Sequence, residues 1–280
     1  MNSGEFGPRT PERPVIFLFP GLSGDHKEIE LLRTGCSASF CFVSIQLPDW
    51  SRIDYSLVSL DGLISHCMAR IEADAPCGPV LLAGYSFGGH VAWAVAAALE
   101  ASGRRVGCLA LLDTSAVPPI EKAPISVGRP IGRLIHAIRV NRIGTEIGRI
   151  MGAIIIRIQN KTLSRFLARV TPLGLSRDMD ERFALSISLT FNLPILEQVL
   201  DRLAKSNRSS TFPAVLFRCV EQAPGATEDL GWDRHLARLQ VVPILGDHDS
   251  LTNPPNLPSL CASFIAVMSD MHVATDAPVD

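Results

Sequence analysis

The chain has 280 residues, 47% hydrophobic and 19% charged, a balance that supports one sizeable folded core and excludes a disordered segment or a disulfide-stapled miniprotein. Its 26 Lys and Arg against 28 Asp and Glu leave a formal charge of -2, so no global basic field recruits nucleic acid. Any electrostatic recognition has to be local.

In chain order, residues 1–13 are polar and lack the apolar core of a signal peptide, which predicts a flexible N-terminal tail on a cytoplasmic protein. Val15 to Phe19 is a five-residue apolar run stopped by Pro20-Gly21, and Phe40 to Leu47 is a second run stopped by Pro48-Asp49. Neither alternates with polar residues, so both strands are expected to be covered on two faces. Leu57, Leu60, Leu63, Ile64, Met68 and Ile71 fall at helical spacing across 57–72. Residues 75–99 contain no Asp, Glu, Lys or Arg, a run long enough to cross a bilayer. Its punctuation argues instead for a buried strand over 79–83, a glycine-flanked turn, and an Ala-rich helix from Phe87 to about Ala101. Another strand, Val106 to Leu112, follows.

From Pro118 to about Ser210 the strand pattern gives way to helical pieces separated by Gly and Pro, which predicts an inserted helical lid. Between Val127 and Val170 this insertion carries nine basic side chains against Glu146 alone. Such a run usually marks a solvated helix face, and it also suits docking of an acidic partner or a membrane surface. Strands resume at Ala214 to Cys219 and Leu239 to Leu245, and Leu257 to Met268 makes a closing helix. The fold class is α/β, a mostly parallel central sheet with helices on both faces and one domain over 14–280.

Seven cysteines, odd in number and scattered through apolar stretches, read as buried thiols of a reducing compartment. With no Cys-x-x-Cys pair, and no two of the seven histidines one helical turn apart, neither a metal site nor a cofactor is expected.

The chemical signal is Gly84-Tyr85-Ser86-Phe87-Gly88-Gly89, a Gly-x-Ser-x-Gly between a strand and a helix. In such a nucleophile elbow the serine sits on a strained turn, its hydroxyl leaves the sheet edge, and the flanking glycines let strand and helix close on each other. The amide of Phe87 would then face a developing oxyanion, with a second donor, the amide of Leu22, in the loop after the first strand. A serine hydroxyl needs a base, itself oriented by an acid. His248, in the glycine-started loop Gly246-Asp-His-Asp-Ser after the last strand, is the expected base, whereas His90 on the nucleophile helix is expected to pack or cap locally. Two strand ends offer the acid: Asp113 after Leu109-Ala-Leu-Leu, favoured, and Glu221 after the strand at 214–219, with Asp229 weaker. Asp247 and Asp249 are too close in sequence to turn back to the ring.

On these residues the chain resembles α/β-hydrolase thioesterase domains of the kind that end nonribosomal peptide and polyketide synthetases. The likeness runs over about 14–268 and rests on Phe19-Pro-Gly21, Leu82-Ala-Gly-Tyr-Ser-Phe-Gly-Gly-His-Val-Ala92, Leu111-Leu-Asp113, Leu230-Gly-Trp232 and Gly246-Asp-His248. The oxyanion loop reads Pro-Gly-Leu-Ser-Gly, without the Gly-Gly pair of many relatives. Freestanding editing thioesterases are similar too, but Tyr85 and the long lid favour the chain-releasing type. The resemblance implies the acid at Asp113, a mobile lid, and an acyl or peptidyl carrier protein as partner. It delivers its chain as a phosphopantetheine thioester, which moves to Ser86 and leaves by hydrolysis or cyclisation. A carboxylester hydrolase or lipase-like enzyme would use the same residues, and a non-catalytic binding module on this scaffold is the reading from another class.

Overall fold

The computed structural model describes residues 5–6, 13–21, 27–45, 59–116, 192, 195–206, 210–222 and 224–276. Its elements are β1 (Glu5–Phe6), β2 (Val15–Phe19), α1 (Lys27–Cys36), β3 (Cys41–Ser44), α2 (Leu60–Asp74), β4 (Val80–Tyr85), α3 (Phe87–Ala101), β5 (Val106–Leu112), β6 (Ser210–Cys219), β7 (Leu236–Ile244) and α4 (Leu257–Asp276). The seven strands form one sheet in the order β1-β3-β2-β4-β5-β6-β7. Every pairing is parallel except β1 with β3. Because the six longer strands run the same way, the ends of β4, β5, β6 and β7 all reach one edge of the sheet, where α/β folds place ligands.

The predicted lack of alternation is explained by burial on two faces. Ile16, Leu18, Phe42, Leu81, Ala83, Ala110 and Phe217 form a core with α1 and α4. The alternate set, Phe17, Phe19, Leu82, Leu109, Leu111 and Leu216, is buried on the other side, where α3 packs on β4 and β5 and α2 packs on α3. Helix α3 is enclosed over most of its surface, from Phe87 through Ala96 and again at Leu99. This accounts for the uncharged run at 75–99, and among the described residues no helix is long and apolar enough to cross a membrane.

Several boundaries differ from expectation. Glu5–Phe6, read as tail, pairs antiparallel with Val43 and Phe42 and covers hydrogen-bonding groups that β3 would otherwise expose at the sheet's edge. Strand β6 begins at Ser210 and α4 continues to Asp276, both beyond the predicted bounds. The chain divides into two units, one of residues 1–47, 60–118 and 196–280, the other of 48–59 and 119–195. The expected insertion at 118–210 lies almost wholly outside the described residues; within it, 196–205 are helical and belong to the first unit.

Phe264 on α4 anchors one face of the sheet. Its ring lies 6.1 Å from Phe40, 6.1 Å from Phe42 and 5.3 Å from Phe217. Truncation at this fully buried site leaves a cavity among three rings that cannot collapse together. Phe264→Ala is therefore expected to cost about 3–5 kcal/mol, read as a lower midpoint in urea with an unchanged slope.

Candidate active site

The site is built on a close crossing of β4 and α3. A Cβ on Gly84 would lie 2.4 Å from the carbonyl oxygen of Gly88, and one on Gly88 would lie 2.2 Å from that of Phe19. On Gly89 it would lie 2.0 Å from Thr114 Oγ1. No side chain fits at these three positions, which gives each glycine of the motif a steric reason. The crossing forces Ser86 to φ 54° and ψ -121°, a conformation that costs a non-glycine residue on the order of 1–3 kcal/mol. Hydrogen bonds hold it there: the Ser86 amide donates to Leu112 O at 3.2 Å, while Gly89 N and Thr114 Oγ1 donate to Ser86 O at 3.0 and 3.1 Å. His90 Nδ1 lies 3.2 Å from the same oxygen and its Nε2 lies 2.8 Å from Ser115 O, so this buried histidine binds locally, as expected.

Asp113 follows β5 directly and also has positive φ, 44°. Its amide donates to Phe217 O at 2.8 Å, which keeps it in line with β6. The carboxylate is 4% exposed and has three donors. Cys219 N at 2.9 Å and Gln222 Nε2 at 2.6 Å donate to Oδ1, and His248 Nδ1 lies 2.9 Å from Oδ2. Burial pushes the Asp113 carboxyl up, but the bond from His248, the Cys219 amide and the imidazole charge outweigh it and hold the group below its ordinary value. The residues after Asp113 are pinned by the Leu230-Gly-Trp232 segment. Trp232 Nε1 donates to Thr114 O at 2.6 Å and Ala116 N donates to Leu230 O at 2.9 Å.

His248 arrives on the loop after β7. Gly246 turns it with φ 88°, and a Cβ there would lie 2.4 Å from Asn256 Nδ2. Asp247 Oδ1 accepts from Asp249 N at 3.2 Å and Ser250 N at 2.9 Å, so this acid shapes the histidine's loop, while the charge of Asp249 adds to the rise in the His248 pKa. His248 Nε2 lies 3.0 Å from Ser86 Oγ. With a carboxylate at Nδ1, the neutral imidazole carries its proton there and accepts from the serine at Nε2. The hydrogen bond to Asp113 raises the His248 pKa above its ordinary value, and burial opposes this.

The sequence-predicted Ser86, His248 and Asp113 thus lie in one hydrogen-bonded line. Glu221, the rival acid, is exposed, and its amide donates to Gly246 O. Asp229 accepts from Asp233 N in the turn before Trp232. Phe87 opens α3, in the first turn where helix amides have no intrahelical acceptor. The carbonyls of Phe19 and Pro20 lie beside Gly88, bringing the start of the β2 loop to this turn, while Leu22 lies outside the described residues. The sequence reading missed Gln222, which carries no spacing signal, and used Tyr85 as part of the motif and as a mark of the chain-releasing type, without a role in the site.

The sheet and its close crossing with α3 give the chain an α/β-hydrolase fold with a serine at its elbow. Residues 14–124 match the family model described as thioesterase domain. The chain is 33% identical over 101 residues to enterobactin synthase component F of Escherichia coli strain K12, a match covering 36% of this chain and 8% of that protein's length. In fold it is similar to the NocB thioesterase domain in covalent complex with a fluorophosphonate nocardicin G analog, with a TM-score of 0.60 at 18% identity over 91% of this chain and 94% of that one. It is likewise similar to a stretch of the four-domain nonribosomal peptide synthetase AB3403, with a TM-score of 0.62 at 17% identity over 91% of this chain and 20% of that one. The chain is thus similar in sequence to thioesterase domains over 14–124 and similar in fold to them over most of its length, while it spans 8% of the length of the enterobactin synthase component it matches.

Two outcomes check the geometry. The His248 imidazole should titrate above 6.5 in an NMR titration and fall in Asp113→Asn, where the charged partner is lost; an unchanged value would place a different carboxylate at the ring. Gln222→Leu removes one donor to an ionised acceptor, worth about 1.5–3 kcal/mol, and should slow ester turnover by about ten- to a hundredfold with little effect on KM.

Proposed function

We propose that this chain is a serine thioesterase that takes an acyl or peptidyl chain from a carrier-protein phosphopantetheine thioester onto Ser86 and releases it by hydrolysis or cyclisation. The observation that supports it most is the continuous line from Ser86 Oγ through both His248 nitrogens to Asp113. In this reading Ser86 Oγ attacks the thioester carbon while its proton passes to His248 Nε2. The C–S bond then breaks and the thiolate takes that proton, leaving an ester on Ser86. In the second half, water or a nucleophile within the chain gives its proton to Nε2 as it attacks the ester. The acyl–oxygen bond breaks and Ser86 is re-protonated. Asp113 stays ionised throughout and stabilises the imidazolium. The amides of Phe87 and Leu22 receive the oxyanion.

Thioesters suit the site because a thiolate leaves more readily than an alkoxide, and acylating the serine divides one transfer into two easier steps. The reading needs no resident cofactor. The carrier domain is the proposed partner, with the basic segment between Val127 and Val170 as its acidic-surface dock and the insertion governing whether water reaches the ester. We place the protein in the cytoplasm, where its seven cysteines, none of them in a disulfide, stay reduced.

The test is intact-protein mass spectrometry after mixing with acyl thioesters on a phosphopantetheine mimic and with matched oxygen esters. An adduct mapped to Ser86, loaded faster from thioesters and absent in Ser86→Ala, is the expected result. Faster loading from oxygen esters would make the chain a carboxylester hydrolase. No adduct, with no reaction at Ser86 towards a fluorophosphonate, would make it a binding module. The rate of acylation should fall as pH drops through the raised His248 pKa, because only the neutral ring accepts the serine proton.

A further inference from the structure

The residue before the elbow serine does more than end a strand. Tyr85 is the last residue of β4 and is half-buried. Its hydroxyl donates to the backbone carbonyl of His248 at 2.7 Å. Its ring stacks on the His248 imidazole, centroid to centroid 5.0 Å, with the planes 23° apart. On another side the ring lies against the start of the β2 loop, since a Cβ on Gly21 would be 3.1 Å from Tyr85 Cδ1. The phenol is thus in contact with both the oxyanion-loop backbone and the base.

This placement supplies something the hydrogen-bonded line lacks. The bonds at Nδ1 and Nε2 fix two atoms of the imidazole, and beyond the Cβ–Cγ bond nothing in that line restrains tilting rotation of its plane. The His248 side chain is 42% exposed, so enclosure by the core does not block that rotation, whereas a ring stacked on its face does. The internal bonds of residues 246–250 set the loop's shape, and the Tyr85 hydroxyl ties that shape to the strand that ends at Ser86. When the serine proton reaches Nε2, the imidazolium also lies over an electron-rich face, a cation–π contact that favours the charged form.

We propose that Tyr85 is a positioning residue for the acyl-transfer reaction, holding the His248 ring and its loop in register with Ser86 and with the loop after β2. It rests on the reading of Ser86 and His248 given above. Two variants separate its two contributions. Tyr85→Phe keeps the stacked ring and loses the bond to the His248 carbonyl; kcat for acylation should fall by about three- to tenfold, with KM unchanged and the imidazole titration in place. Tyr85→Leu loses the stack as well; kcat should fall further, and the imidazole pKa measured by NMR should drop below that of the wild type.

A merely structural role would lower the unfolding temperature and leave kcat per folded molecule and the imidazole titration as in the wild type. That result in both variants would overturn the proposal. The NMR arm requires no turnover, so a wild-type chain that forms no adduct on Ser86 would defeat the functional reading, while an unmoved titration in Tyr85→Leu would defeat this one. Should Tyr85→Leu fail to fold, the Phe variant decides alone: wild-type kcat and wild-type reaction with a fluorophosphonate would end the idea.

Discussion

The backbone contact between β4 and α3 at Ser86 sets the geometry on which the rest of the site depends. Strand, helix and the neighbouring ends of β2 and β5 approach so closely that Gly84, Gly88 and Gly89 can have no side chain. Such an approach leaves no ordinary turn between Tyr85 and Phe87, and the residue between them takes positive φ whatever its identity. Serine is therefore not placed in a strained conformation for its own sake. The strain belongs to the crossing, and the crossing is held by packing of α3, whose buried surface extends from Phe87 through Ala96.

The same logic extends to the acid. Among the described non-glycine residues only Ser86, Asp113 and Leu230 have positive φ, and two of these lie in the hydrogen-bonded line. Asp113 leaves β5 one strand over from Ser86, and its turn aims the carboxylate at the gap between β6 and the loop after β7. Leu230 belongs to the segment that pins the residues after Asp113 through Trp232 Nε1 and the Leu230 carbonyl. The strained positions are thus either members of the line or supports for one of them.

Much of this was legible in the sequence, for specific reasons. Strands buried on both faces carry unbroken apolar runs, so β2, β4 and β5 were visible within a residue or two, and the glycine pattern located Ser86. His248 was found because it lies late in the chain on a glycine-started polar loop right after an apolar strand, where the base for an elbow serine is expected. What stayed hidden was tertiary. Glu5–Phe6 carries no strand signal of its own, and its pairing is a response to the open edge of β3. Gln222 and Tyr85 act through contacts more than a hundred residues away in the chain, Gln222 at Asp113 and Tyr85 at His248, and no local periodicity encodes such a contact. The choice between Asp113 and Glu221 came from family resemblance, because both end strands that reach the same sheet edge.

The electrostatics of Asp113 explain why its supports matter as much as its charge. Burial alone would favour the neutral acid, which could not raise the basicity of His248. Ionisation is retained because three donors converge on two oxygens, and two of them, Cys219 N and Gln222 Nε2, are independent of the imidazole. The carboxylate therefore stays charged in both protonation states of His248, and the ring, not the acid, is the group whose charge changes. The fixed negative charge favours the imidazolium over the neutral ring, and the raised pKa of His248 is the sign of that preference. In the proposed reaction a rigid carboxylate that is already ionised needs no reorganisation when the ring takes up a proton, which is the physical advantage of anchoring Asp113 to Phe217, Cys219 and Gln222.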